Sequence, residues 1–236
     1  MIVAESKSTV FRLGADGVWR FEGWAPSWVT VGVLDRRSEV TRLAHHLPSG
    51  TRFVQAEQVH GASIAIVDRL LDSTEPIAGC DALVTARPGM ALLIRTADCI
   101  PLFLVDPSRG VAGIAHVGWR GLGLRLPQRL LAAFRHGFHS RPEALRVAVG
   151  PAIRACCYEV ESEFVGRFAP FVQPRDGRLY CDLVGAAIDQ LRQGGVPARH
   201  VLDSQRCTSC ESEHWFSTRR EGQGTGRLTS FIMVRP

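Results

Sequence analysis

Three residues of this chain carry side chains that could bind a metal ion or perform covalent catalysis: His60, Cys99 and His116. Cys99 lies in the phrase TADCIPLFLVD, His116 in AHVGWRGL, and His60 further upstream in EQVHG. Two histidines and one cysteine suit a metal with one open coordination position. The same residues also suit a cysteine nucleophile with a histidine base and a helper. The residue types alone leave both interpretations open.

Apolar runs around these residues predict the strands that must position them. Residues 100–105 follow Cys99, and the run 111–117 contains His116. The separation of 17 positions (116 − 99) allows a strand, a turn and an adjacent strand, so the two side chains can meet at one sheet edge. His60 ends a predicted strand in the phrase FVQAEQVHG, and only the fold can bring it to the other two.

Hydrophobic periodicity along the rest of the chain predicts more strands than helices. Further strands are predicted at 10–13, 18–21, 28–34, 63–67, 79–85, 91–96, 145–149, 200–202 and 231–234. Helices are predicted at 36–46, 121–138, 162–169 and 182–193. The second is expected to be regular only from near Pro127, and the last is capped by Asp182. This pattern predicts a single α+β domain over residues 1–236, with layered mixed β-sheets flanked by helices.

Composition excludes several classes of protein. The hydrophobic fraction of 45% and the charged fraction of 22% are typical of a folded globular chain. No apolar run reaches the ~18 residues of a membrane helix and no secretory signal is visible, so we expect a cytoplasmic protein without a membrane partner. The net charge is +5, but the basic residues are scattered and nearly all arginine, so no nucleic-acid partner is predicted.

The seven cysteines are an odd number in a chain without an export signal, which argues against a disulfide framework. Cys156 and Cys157 are adjacent and cannot easily bridge to each other. Cys207 and Cys210 form a CxxC, but no second CxxC or histidine pair completes a zinc ribbon. The pattern favours two ordinary thiols there and assigns Cys207 and Cys210 no role.

Residues beside the central three suggest how a substrate could be handled. Asp98 is either a proton-handling group next to Cys99 or a solvated turn carboxylate. Trp119 and Arg120 offer a stacking face and an anion-binding guanidinium. Arg220, in the glycine-rich phrase FSTRREGQGTGR, belongs to a second anion site or to a solvated loop. By ligand softness, the preferred metal is Zn²⁺, with Cu²⁺ as second choice.

The phrases EQVHG, DALVT, TADCIPLFLVD, AHVGWRGL, GPAIRACCYEV and HWFSTRREGQGTGR occur in this order and cover about three quarters of the chain. Together they resemble the bacterial YfiH-like family, also called the multicopper polyphenol oxidase or laccase-domain family. The resemblance implies an α+β fold and zinc bound by His60, Cys99 and His116. It implies phosphorolysis of adenosine, inosine, guanosine and methylthioadenosine with inorganic phosphate as co-substrate, and adenosine deamination at the same site. Copper-dependent phenol oxidation and editing of peptidoglycan precursors are further family attributions.

The N-terminal third departs from the family pattern. The segment WVTVGVLDRRSEVTRLAHHL lacks the Arg-x-Gly-Gly-Val-Ser phrase, the Asn-Leu-Gly and the Gly-Asp-rich segment usual there, and Thr218 replaces an aromatic. These absences affect the expected substrate pocket, but the three residues expected to bind the metal are all present.

Three hypotheses follow. The first is a zinc-dependent purine nucleoside enzyme in which Arg120 and Arg220 bind phosphate, Trp119 walls the pocket and Asp98 transfers protons. The second is a metal-free cysteine hydrolase that uses Cys99 and His116 on an amide, such as one in a peptidoglycan precursor. The third is a nucleoside-binding protein without turnover. The oligomeric state is left open.

Overall fold

A computed structural model describes residues 11–38, 40–68 and 75–236, and its regular elements are mostly short strands. The strands are β1 (Phe11–Leu13), β2 (Val18–Phe21), β3 (Val29–Leu34), β4 (Arg52–Gln55), β5 (Ile64–Ile66), β6 (Ala82–Thr85), β7 (Met90–Thr96), β8 (Ile100–Asp106), β9 (Val111–Val117), β10 (Arg146–Val149), β11 (Glu159–Val160), β12 (Val172–Arg175), β13 (Arg178–Cys181), β14 (Val201–Asp203) and β15 (Leu228–Val234). The α-helices are α1 (Trp119–Gly123), α2 (Leu126–Phe138), α3 (Glu163–Phe168), α4 (Leu183–Gln193) and α5 (Thr218–Glu221). Short 3₁₀ helices span Val40–His46, Pro142–Ala144, Ala169–Phe171 and Ala198–His200.

The strands form two six-stranded mixed sheets and a small third sheet. Sheet one has the order β1-β2-β3-β15-β7-β4, with only the β4–β7 pair parallel among these strands. Sheet two has the order β14-β10-β8-β9-β6-β5, with parallel pairs at its two edges. The third sheet is β11-β13-β12 and is antiparallel. This is the predicted α+β architecture with layered mixed sheets.

The two large sheets pack face to face, and helices cover the outer face of sheet two. Leu92 and Ile94 of β7 meet Phe103 and Ile114 of the facing sheet in one buried cluster. On the other side, α2 and α4 bury a second cluster against β8 and β9. Every residue of β8 and β9 is buried, and all but Asp106 and His116 are apolar, as expected for strands covered on both faces. This rigid hairpin is the platform of the site described below.

Two local predictions were wrong. Residues 36–46 were predicted to be an α-helix, but the structure has a 3₁₀ helix at Val40–His46. A helical segment this short has little stability of its own in water, so docking of Leu43 and Leu47 onto sheet one determines its geometry. The strand predicted to run up to His60 ends at Gln55. The Gln58 side chain instead donates to the Arg95 carbonyl at 2.6 Å and accepts from the Arg95 amide at 2.7 Å, which replaces strand pairing.

The helical predictions in the second half hold with small changes. The run 121–138 is divided, because Arg125 adopts φ 62° between α1 and α2, and α2 begins at Leu126 just before Pro127. Asp182 caps α4 by accepting a hydrogen bond from the Gly185 amide at 2.8 Å.

The first predicted strand begins at residue 10, which lies outside the described residues. In the described part of the chain, the helices are too short or too polar for any to cross a lipid bilayer.

Candidate metal-binding and active site

The hairpin of β8 and β9 places Cys99 beside His116. Cys99 lies in the turn that joins β7 to β8, immediately before Ile100, and His116 is the penultimate residue of β9. The strands are antiparallel, with Ile100 opposite Val117 and Pro101 opposite His116. The beginning of β8 and the end of β9 therefore lie at the same sheet edge, as the spacing predicted.

His60 approaches from the loop after β4, and Asp81 fixes its backbone. Asp81 is fully buried, and its carboxylate accepts hydrogen bonds from the His60 amide at 3.0 Å and the Gly61 amide at 2.6 Å. His60 has φ 59°, a left-handed conformation that is uncommon for a non-glycine residue. A conformation of this kind usually persists only where the surroundings determine it, as the Asp81 contacts do here.

The ligand atoms of His60, Cys99 and His116 all lie within 4.8 Å of one another. The two imidazole rings are 4.7 Å apart between centroids and are inclined at 69°. Gly118 leaves the space for this cluster, since a Cβ at that position would lie 3.1 Å from Cys99 Sγ and 3.1 Å from His60 Nδ1. The structure thus brings together the three residues that the sequence singled out.

The donor set fits a zinc ion. His116 Nδ1 lies 2.8 Å from Asp81 Oδ1, and this contact orients the ring and leaves Nε2 for a ligand bond. Carboxylates in this outer position are a regular companion of metal-bound histidines. Two nitrogens and one sulfur are ligands that zinc accepts with a fourth position free. His60, Cys99 and His116 could therefore hold the ion, and Asp81 would support it.

Electrostatics at the cluster favour a thiolate beside an imidazolium in the absence of metal. Burial alone would raise the pKa of Cys99, but hydrogen bonds from His116 and His60 lower it to about 7. Burial alone would lower the pKa of His116, but Asp81 and Cys99 raise it to about 9. Cys99 is therefore an activated sulfur near neutral pH, suited to metal binding or to nucleophilic attack.

A cavity of about 840 Å³ opens over the cluster. Its size falls within the range of small-molecule sites, which is roughly 300–1,000 Å³. The lining includes four arginines and two aromatic residues: Arg95, Arg120, Arg219, Arg227, Trp119 and Tyr158. A lining of this kind suits an anionic group next to a flat ring. Among the described residues the lining begins at Gln55, so the divergent N-terminal segment contributes no side chain to it.

Trp119, Arg120 and Asp98 all line this cavity. The Arg120 guanidinium stacks on the Trp119 ring at 4.3 Å, and in the described part of the chain no carboxylate pairs with it. Asp98 accepts from the Thr208 hydroxyl at 2.6 Å and from the Arg219 amide at 2.7 Å. Asp98 therefore joins the Cys99 turn to the C-terminal loops as well as facing the cavity.

Arg220 does not line the cavity. Its guanidinium donates to the carbonyls of Thr208, Ser209 and Trp215 at 2.7, 2.8 and 2.7 Å, and it pairs with Glu221. These contacts use its donors on the protein's own loops, and Arg220 is not among the cavity-lining residues. Its neighbour Arg219 lines the cavity instead, with its guanidinium over the Tyr158 ring at 5.1 Å. The anion-binding role predicted for Arg220 has no support from its position.

Sequence reasoning assigned no role to Asp81, Tyr158 or Arg95, all of which the structure places at the site. Asp81 had a visible signal, because an acidic residue stands immediately before the mostly apolar strand β6, all of whose residues are buried. A buried carboxylate there requires a partner. The partner lies 35 positions away, so only the fold identifies it.

Comparison with known families and proteins shows what this chain is similar to. A family model described as multi-copper polyphenol oxidoreductase laccase matches residues 31–235. The purine nucleoside phosphorylase YlmD of Geobacillus stearothermophilus is 37% identical over 196 residues, which cover 77% of this chain and 72% of the relative. The adenosine deaminase RL5, from an unknown prokaryotic organism, is 36% identical over 195 residues, covering 76% of this chain and 74% of the relative.

Solved structures show the same fold. The crystal structure of YlmD from Geobacillus stearothermophilus aligns with a TM-score of 0.85 at 31% identity, covering 97% of this chain and 100% of that one. The crystal structure of the Bacillus licheniformis protein YfiH aligns with a TM-score of 0.86 at 26% identity, covering 95% and 99%. The α+β architecture predicted from the sequence is thus shared by both.

Proposed function

Because this chain belongs to the multi-copper polyphenol oxidoreductase laccase family, whose relatives include enzymes, we propose that it is a zinc-dependent purine nucleoside phosphorylase that also deaminates adenosine. One relative is named for the first activity and another for the second, at similar identity to this chain. The proposed substrates are adenosine, inosine, guanosine and methylthioadenosine, with inorganic phosphate as co-substrate.

The observation that carries the proposal is the convergence of His60, Cys99 and His116 beneath the arginine-lined cavity. His60, Cys99 and His116 would hold zinc, which would supply Lewis-acid chemistry to a bound reactant. The cavity above offers cations for phosphate and aromatic rings for a purine. A single site with both features supports a reaction between an anion and a nucleoside.

In phosphorolysis, Arg120 binds and orients phosphate. Its guanidinium stacks on Trp119 and lines the cavity, and no carboxylate among the described residues pairs with it. An oxygen of hydrogen phosphate forms a bond to C1′ of the sugar, and the bond from C1′ to the purine nitrogen breaks. The purine nitrogen takes up the proton that hydrogen phosphate loses. Trp119 and Tyr158 form walls against which a flat base can pack. The Arg219 guanidinium, held over Tyr158, places a second positive charge at the same wall.

In deamination, water adds to the purine carbon that carries the amino group, and ammonia leaves. Asp98 is the proposed proton-transfer residue, because it adjoins Cys99 and lines the cavity. Each of its oxygens already accepts one hydrogen bond, from Thr208 or Arg219. A carboxylate oxygen has a second acceptor site, so Asp98 can still receive a proton from a group in the cavity.

The test is incubation of the purified chain with adenosine in the presence and absence of phosphate. We expect adenine and ribose 1-phosphate when phosphate is present, and inosine with ammonia when it is absent. No product under either condition would contradict the proposal. Adenosine binding without product would support the nucleoside-binding alternative. Metal content of protein isolated without added metal separates zinc from copper, the second metal that this donor set suits.

A second candidate function is supported by the arrangement of Asp81, His116 and Cys99. The carboxylate orients the imidazole, and the imidazole faces a thiol whose pKa is about 7, as in a cysteine hydrolase. Cleavage of an amide in a peptidoglycan precursor is the corresponding reaction. It gives no role to His60, which also has a ring nitrogen within 4.8 Å of the sulfur. Rapid alkylation of Cys99 in the protein as isolated would favour this candidate, and protection by stoichiometric zinc would exclude it.

A further inference from the structure

Four cysteines outside the candidate active site form a second cluster. The Sγ atoms of Cys156, Cys157, Cys207 and Cys210 all lie within 4.8 Å of one another. The sequence separates the two pairs by about fifty positions, and Cys156 to Cys207 is a separation of 51. The adjacent cysteine pair and the CxxC meet in the fold, although neither motif alone indicates a binding site. From this geometry we propose that Cys156, Cys157, Cys207 and Cys210 bind one structural zinc ion as a tetrathiolate.

The sulfur separations match the edges of a zinc tetrahedron. A Zn–S bond of about 2.3 Å gives tetrahedral sulfur–sulfur edges of about 3.8 Å. Cys156 lies 3.5 Å from Cys207 and 3.6 Å from Cys210, and Cys157 lies 3.3 Å from Cys210. These separations are slightly shorter than that edge, so a small expansion of the cluster would admit the ion. Four thiolates with tetrahedral geometry are the usual closed set of a structural zinc site.

The connectivity of the cluster favours a metal over disulfides. Cys156 contacts both Cys207 and Cys210, and Cys210 contacts both Cys156 and Cys157. Disulfides join sulfurs in separate pairs, whereas a tetrahedral ion requires each sulfur to face the others around one centre. All seven cysteines are free thiols in the structure, so these four are available as ligands.

The protein around the cluster carries positive charge. Arg175 donates to the Cys156 carbonyl at 2.9 Å, and Arg220 donates to the carbonyls of Thr208 and Ser209 in the CxxC loop. One divalent ion with four thiolates has a net charge of about −2. The Arg175 guanidinium would offset part of this charge, whereas that of Arg220 is already paired with Glu221. The carbonyl contacts give Arg220, whose position excludes it from the cavity, a role in holding the CxxC loop.

The ion would join two loops that hold or contact residues lining the cavity. Tyr158, which lines the cavity, follows Cys157 directly. Thr208, between Cys207 and Cys210, donates to Asp98 at 2.6 Å. Backbone hydrogen bonds already pair the two loops, from the Ala152 amide to the Arg206 carbonyl and from the Thr208 amide to the Ala152 carbonyl. Zinc bound here would therefore fix the spacing between Tyr158 and Asp98.

The test compares zinc content per chain in four full-length proteins purified without chelator. They are the unaltered chain, Cys156→Ser/Cys210→Ser, His60→Ala/Cys99→Ala, and Cys181→Ala as a matched control in the buried core. We expect two zinc ions in the unaltered chain and in Cys181→Ala, and one in each double variant. Loss of all zinc in His60→Ala/Cys99→Ala would overturn the inference.

The same comparison separates this inference from the proposed function. If only the four-cysteine site binds zinc, His60→Ala/Cys99→Ala and the unaltered chain will each contain one ion, and Cys156→Ser/Cys210→Ser will contain none. That result supports the tetrathiolate site and contradicts the zinc-dependent active site. Iron with inorganic sulfide in place of zinc would overturn the assignment of the metal.

Two further measurements do not depend on the folding of a four-cysteine variant. X-ray absorption at the zinc edge of His60→Ala/Cys99→Ala should show four sulfur neighbours at about 2.3 Å, and a shell containing nitrogen would contradict the site. Alkylation of the unaltered chain after acid release of metal should modify all seven cysteines. Modification of only three (7 − 4) would indicate two disulfides at the cluster and would also overturn the inference.

Discussion

Asp81 Oδ1 lies 2.8 Å from His116 Nδ1, and the same carboxylate accepts the backbone amides of His60 and Gly61. One buried residue therefore orients both proposed histidine ligands. It orients one through the ring and the other through the main chain. The geometry of the metal set depends on Asp81 as much as on the ligands themselves.

Asp81→Asn should weaken zinc binding at the three-residue site by about 10–100-fold, because outer carboxylates contribute that much to metal affinity. The matched control is Asp106→Asn. Asp106 is equally buried, but it lies at the opposite end of the β8–β9 hairpin, where it accepts from Ser108. Competition with a calibrated chelator measures the affinity. Equal losses in both variants would indicate a general effect on stability and contradict the role of Asp81.

Gly118→Ala should reduce zinc affinity by about ten- to hundredfold, the effect expected when a side chain overpacks a site. The added Cβ would lie 3.1 Å from both Cys99 Sγ and His60 Nδ1. Gly118 has φ −87° and ψ 174°, which alanine adopts without strain, so the loss would report steric contact alone. Gly123→Ala in α1 is the control, since a Cβ there meets nothing within 4 Å. An unchanged affinity in Gly118→Ala would show that the ligands do not converge as described.

Arg120→Gln should raise KM for phosphate by about tenfold or more, since hydrogen bonds to charged groups contribute about 1.5–3 kcal/mol. Deamination of adenosine without phosphate should change little, which separates an anion-binding role from a structural one. Arg192→Gln, on the exposed end of α4, is the control. An equal loss of both activities would contradict the assignment of Arg120 to phosphate.

Zinc binding at the three-residue site should release protons at pH 7 and weaken as pH falls. In the metal-free chain the pKa of His116 is about 9 and that of Cys99 is about 7, so His116 is protonated and Cys99 is partly protonated. Both must lose their protons to bind the ion. Affinity should therefore increase with pH up to about 9, through the raised pKa of His116. Calorimetry of Cys156→Ser/Cys210→Ser in buffers of different ionisation enthalpy measures the release, and no release would contradict these protonation states.

The sequence sufficed for the fold class and for the β8–β9 hairpin, because a mostly apolar run is a local property and the spacing of Cys99 and His116 permits one tight connection. It did not suffice for the strand boundary before His60. There a side-chain contact between Gln58 and the Arg95 backbone, 37 positions apart, replaces the expected strand pairing. Periodicity contains no information about such a contact.

Contacts between residues that are distant in sequence account for the other differences between the predicted and the observed site. Arg219 and Arg220 are neighbours of the same type, and the sequence cannot tell which guanidinium faces the cavity and which binds the carbonyls of the CxxC loop. The four-cysteine cluster likewise exists only because loops around residues 156 and 207 meet in the fold. Local sequence patterns predicted the helices and strands, whereas tertiary contacts determine which side chains line the cavity or meet in the cysteine cluster.

The most direct test of the proposed active site is the rate of adenosine phosphorolysis by Cys99→Ala, with Cys181→Ala as the control for loss of a buried thiol. Cys99 is the only thiol among the three proposed ligands, whereas Cys181 belongs to the core cluster beneath α4. We predict that kcat/KM falls by at least about a hundredfold in Cys99→Ala, because changes to outer contacts of a metal site alone cost about 10–100-fold. Cys181→Ala should retain nearly all activity. A rate in Cys99→Ala equal to that of the unaltered chain would contradict the account.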